Sequence, residues 1–94
     1  MDRLRAIQVF VEVCERGSLS AAAAGLGMSR AMVSRYLAEM ERWSGTRLLH
    51  RTTRRMSLTP EGVQALPRCR QILGLARGLR AVEAEGRVAP AAPP

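Results

Sequence analysis

Glycine followed closely by a serine cuts this chain at two nearby places, and that punctuation constrains the fold more than any other feature. Gly17-Ser18 and Gly27-Met28-Ser29 each put a residue able to take φ > 0 beyond a last helical turn. Each then supplies an oxygen to cap the next helix. Gly45 closes a third segment. Between these marks the chain is amphipathic. From Arg3 to Arg16, Leu4, Ile7, Val11 and Cys14, flanked by Phe10, trace one stripe of a helix. Leu19 to Leu26 predicts a short helix that is thin at Ala22 and Ala23, where a neighbour can approach, with Leu26 and Met28 as anchors. Arg30 to Trp43 carries Val33, Leu37 and Met40 on one face and Arg30, Ser34, Arg35 and Ala38 on another. Three helices with a tight turn between the second and third make a helix-turn-helix.

After Gly45 the period changes. Arg47 to His50 and Met56 to Leu58 predict two short strands around the basic loop 51–55, a hairpin with an exposed tip, or wing. Thr59-Pro60-Glu61 then combines an N-cap, a proline at the first helical position and an acidic first turn. The helix it opens carries Leu66, Cys69, Leu73, Ala76, Leu79 and Val82 at spacings of 3 and 4, close to a heptad seam for pairing with a second helix. Pro67 in its interior predicts a kink rather than a break. From Gly86 the composition becomes that of a flexible Pro/Ala-rich tail. The expected architecture is mainly α: a winged helix-turn-helix over 1–59, a linker or dimerisation helix over 60–85 and a tail over 86–94.

A chain of 94 residues holds one small core, of modest stability without a partner subunit. Charged residues interrupt every apolar stretch before it reaches membrane-spanning length, and no secretory h-region follows Met1, so a cytoplasmic location is expected. Cys14 and Cys69 fall on predicted helices without metal-ligand spacing, and both read as packing thiols rather than a disulfide. Catalysis finds no constellation. His50 is the only histidine and has no nucleophile or acid set around it, and no glycine-rich phosphate loop is present. No cofactor or metal is expected.

The charge is more informative. All 15 cationic residues are Arg, against 8 acids, for a net charge of +7. Between Ser29 and Arg55 seven Arg face only Glu39 and Glu41. Arg30, Ser34 and Arg35 on the third helix, and Arg51, Thr52, Thr53, Arg54 and Arg55 in the loop, would form one basic surface with small polar residues able to donate to phosphates. Such a surface suits a helix in the major groove and a loop on the neighbouring backbone.

Several stretches carry a family resemblance: the Gly17-Ser18-Leu19-Ser20-Ala21-Ala22-Ala23 run, Val33-Ser34-Arg35, Met40-Glu41, Arg47-Leu48-Leu49, Arg51-Thr52-Thr53-Arg54 and Leu58-Thr59-Pro60-Glu61-Gly62. In this order they make residues 2 to about 82 resemble the N-terminal DNA-binding domain of LysR-type transcriptional regulators. The resemblance implies sequence-specific binding of double-stranded DNA as a homodimer, with higher oligomers in a full-length form, in the bacterial cytoplasm and on the nucleoid. It implies recognition-helix contacts from Ser29, Arg30, Ala31, Ser34 and Arg35, wing contacts from residues 51–55, and pairing of the linker helices. Arg30 and Arg35 are candidates for guanine readout or for phosphate clamps. Family members often carry Gln-Pro where this chain has Arg30-Ala31, so base preference does not carry over. An effector-binding domain is expected to be absent from this chain, and with it any small-molecule site. The alternative from another class is a sensor-less interaction module that heterodimerises with a full-length regulator and antagonises it.

Overall fold

The computed structural model describes residues 2–51 and 56–88, the side chains of residues 51 and 80–88 excepted. Four helices and one hairpin follow in the order α1 (Arg3–Arg16), α2 (Leu19–Leu26), α3 (Arg30–Ser44), β1 (Leu49–Arg51), β2 (Met56–Leu58) and α4 (Pro60–Val88). The helix ends are chemical. Asp2, Ser18 and Ser29 accept from backbone N–H groups of the first turns of α1, α2 and α3, while Gly17, Gly27 and Gly45 close them in the left-handed conformation.

The core is built around α1, which α2, α3 and α4 all touch. Its buried set is therefore wider than one stripe. Val9, Phe10 and Val13 are fully enclosed beside Ile7 and Val11, whereas Leu4, expected on the stripe, is exposed at the start of the helix. Ala22 and Ala23 are buried, which lets α2 lie close to α1. Val33, Leu37 and Met40 form the buried face of α3 as the spacing predicts.

The wing departs from expectation at its root. The first strand spans Leu49–Arg51 rather than Arg47 to His50. It pairs antiparallel with β2 in the register Leu49↔Leu58, His50↔Ser57 and Arg51↔Met56. The Leu48 N–H donates to the Glu41 carboxylate (2.8 Å) and the Arg47 carbonyl accepts from the Thr59 hydroxyl (2.6 Å), so side chains take both groups. The Leu48 carbonyl accepts from the Thr59 N–H (3.0 Å), one backbone bond beyond the last paired residues of the wing.

α4 runs unbroken through Pro67 and ends at Val88, three residues beyond the expected boundary. Thr59 caps it by accepting from the Gly62 N–H (3.0 Å). Gly62 is needed for close approach: a Cβ there would be driven into the Leu48 carbonyl oxygen. No helix among the described residues is long and apolar enough to cross a membrane.

Candidate nucleic-acid interface

The residues that bury α3 leave the opposite face free. Val33, Leu37 and Met40 point into the core, so Arg30, Ala31 and Arg35 are exposed and Ser34 is half-buried beside them. Positions 30, 34 and 31, 35 are i, i+4 pairs, so the five expected contacts cluster on the first turns of one helix face. Ser29 is exposed, and its Oγ accepts from the Met32 N–H (3.1 Å). That cap uses a lone pair and leaves the hydroxyl proton for a phosphate oxygen.

Neighbouring cations are less available. Arg16 is tied to Glu12 at 2.6 Å and Arg42 to Glu39 at 3.0 Å, both pairs in largely solvated positions, where such pairs contribute about 0–1 kcal/mol. They trim the basic surface toward Arg30 and Arg35. On the wing, His50 and Ser57 stand exposed opposite each other, while Leu49 and Leu58 turn toward the core. Of the wing residues named from the sequence, Arg51 lies on β1, and Thr52, Thr53, Arg54 and Arg55 fall outside the described residues.

The expected seam on α4 is divided by the structure. Cys69 and Leu73 are buried against the chain's own core, and Leu66 and Ala76 are half-buried. Of that set Leu79 is open, at 74% exposure, and the side chain of Val82 falls outside the described residues. The free apolar line is displaced around the helix to Ile72, Leu75 and Leu79, which are 40%, 73% and 74% exposed. The reason is geometric: the first half of α4 must turn its Cys69 and Leu73 face inward to close the core over α1. Trp43 lies outside the buried core. It lies half in solvent, with the Arg3 guanidinium over its ring at 5.0 Å, at the edge of a groove shared with Ile7, Met40 and Ile72.

Both thiols are free and protonated. Burial pushes Cys14 up to about 11 against the opposing charge of Arg70, and burial raises Cys69 as well. A thiol held above its ordinary value is a poor nucleophile. No group of His, Cys, Asp or Glu able to hold a metal ion occurs among the described residues.

Glu41 carries a role that the sequence did not signal beyond its charge. Its Oε2 accepts from the Leu48 N–H and from the Leu49 N–H (3.3 Å), across seven and eight positions of chain. This contact ties the wing to the helix that bears Arg30 and Arg35.

A helix with its cationic face free, set against a two-stranded wing, defines a winged helix-turn-helix DNA-binding domain. The chain belongs to the LysR family: residues 4–63 match the family described as "Bacterial regulatory helix-turn-helix protein, lysR family". A transcriptional repressor of Pseudomonas aeruginosa, PA14_22550, is 42% identical over 73 residues, covering 78% of this chain and 23% of the relative. The transcriptional regulator BlaA of Streptomyces cacaoi is 42% identical over 93 residues, covering 99% of this chain and 28% of the relative. The chain thus spans about a quarter of the length of the curated relatives it matches. These relatives are transcriptional regulators, not enzymes. Among solved structures, the DNA-binding domain of CbnR in complex with DNA superposes with a TM-score of 0.82 at 31% identity, covering 95% of this chain and all of that one. The BenM DNA-binding domain with catB site 1 DNA gives 0.86 at 27% identity, covering 95% and 98%. The reading as a sensor-less interaction module finds no support in these relatives.

Proposed function

We propose that the chain reads an operator as a dimer. The N-terminal turns of α3 enter the major groove, and the wing lies on the adjacent backbone or minor groove. The observation that carries this reading is that Arg30 and Arg35 are exposed on the first turns of α3 while Val33, Leu37 and Met40 are buried. Ser29, Ala31 and Ser34 complete the helix contacts, and residues 51–55 supply those of the wing. That the similar DNA-binding domains of CbnR and BenM were solved in complex with DNA supports DNA as the partner. Ile72, Leu75 and Leu79 on α4 form the seam for a second copy, because three large apolar side chains in line on one helix face favour burial. Two recognition helices would then address half-sites about 34 Å, or a multiple of it, apart. This places the activity in the cytoplasm, on the bacterial nucleoid.

Selection from random duplex DNA with the purified chain tests the reading, and an interrupted palindrome is expected. Changing Arg30 and Arg35 together to Ala should abolish preference for the selected site while leaving the fold, since both lie off the buried stripe. Unchanged preference refutes the recognition face. Light scattering after size exclusion should show a dimer that Leu75→Asp with Leu79→Asp converts to monomer; a wild-type monomer at tens of micromolar refutes the seam.

A further inference from the structure

We propose that Glu41 is a positioning residue for DNA recognition, whose carboxylate fixes the wing to the recognition helix so that both meet the duplex as one rigid surface. The inference rests on the reading that the wing touches DNA. Glu41 stands one turn before the end of α3, at the opposite end from Arg30. Its carbonyl accepts from the Gly45 N–H (2.9 Å) and the Ser44 hydroxyl (3.1 Å), while its Oε2 grips the N–H groups of Leu48 and Leu49. One residue therefore closes the helix with its backbone and holds the root of β1 with its side chain.

The other side of the same root is held by α4. Thr59 takes the carbonyls of Arg47 and Leu48, and the missing Cβ of Gly62 admits the Leu48 carbonyl. Leu48 thus has its N–H bound to α3, its carbonyl bound to α4 and its side chain buried in the core. Electrostatics alone argues against an acid here, since a carboxylate close to a phosphate-binding surface repels the ligand. Geometry explains it. An ionised acceptor makes hydrogen bonds about twice as strong as neutral ones, and here one oxygen takes two donors.

Reach and charge are separable. Glu41→Asp keeps the charge and withdraws the oxygens by one methylene, about 1.5 Å. Glu41→Gln keeps the reach and an acceptor oxygen but removes the charge. Each is combined with Arg54→Ala, which probes the wing contact, and binding to a fluorescein-labelled duplex carrying the selected sequence is followed by anisotropy. Arg54→Ala is expected to weaken the wild-type chain by about 10-fold. In the Glu41→Asp background, already weakened to a similar degree, it should cost less than about 2-fold, because partners acting through one element are not additive. Glu41→Gln, a neutral acceptor that makes weaker bonds, should lose part of the affinity and part of the Arg54→Ala penalty.

An equal Arg54→Ala penalty in wild type and Glu41→Asp overturns the positioning role while leaving the wing contact standing. An Arg54→Ala chain that binds as wild type refutes the wing contact, and the inference falls with it. If Glu41→Asp does not fold, Glu41→Gln decides: wild-type affinity together with the full Arg54→Ala penalty overturns the proposal.

Discussion

Up to Leu73, α4 is a wall of the core; from Gly74 to Leu79 it is a helix whose large apolar side chains, Leu75 and Leu79, stand mostly in solvent. The two halves share one spacing of large residues and differ in what lies opposite. In the first half Cys69 and Leu73 meet the core cluster built on α1, and Gly62 sits against the wing root. In the second, a Cβ added at Gly74 or Gly78 would meet nothing within 4 Å. The contrast teaches that helical periodicity reports how many faces a helix buries, not whether the partner belongs to the same chain.

That contrast is open to direct attack. Leu73→Ala should cost about 2–5 kcal/mol of folding stability through lost burial and the cavity left behind, whereas Leu75→Ala should stay within about 0.5 kcal/mol in the monomer. Denaturant unfolding at a concentration below dimerisation measures both, and equal costs would erase the distinction. Next in size is one substitution with two signs. Gly62→Ala should destabilise by about 1–3 kcal/mol, because the Leu48 carbonyl must move, while Gly74→Ala should stabilise by up to about 1 kcal/mol through helix propensity. In thermal unfolding the two midpoints should lie on opposite sides of wild type, by about 4–8 °C per kcal/mol for a domain of this size.

The smallest effect belongs to the core that the first half of α4 covers. Cys14 is held at about 11, above the usual 9.0, chiefly by burial. The folded chain therefore keeps this proton more tightly than the unfolded one. The associated stability is complete below pH 9.0 and is lost as pH rises toward about 11. Chemical unfolding across that window should show the decline, and Cys14→Ala should flatten it in part, since buried Cys69 is shifted in the same direction.

What the sequence made legible was local. The limits of α1 and α2, and the starts of α3 and α4, stood where Gly17, Ser18, Gly27, Ser29 and Thr59 put them, because caps act within one turn. The recognition face was legible for a similar reason: Arg30 and Arg35 fall off a stripe that a single helix declares by itself. Long-range bonds left no such trace. Nothing at position 41 announces that its carboxylate will hold two N–H groups seven and eight residues away, at the root of β1. Val9, which the single stripe leaves out, is buried because α1 is covered by three helices, not one.

The joint at Leu48 has a mechanical consequence. Thr59, the N-cap of α4, and Gly62 hold the root of the wing, and Cys69 and Leu73 hold the same helix to the core, so wing root, α4 and core turn as one body. At 1.5 Å per residue the 29 residues of α4 span about 43 Å. A turn of about 5° at the wing root therefore carries the far end of α4 through about 4 Å.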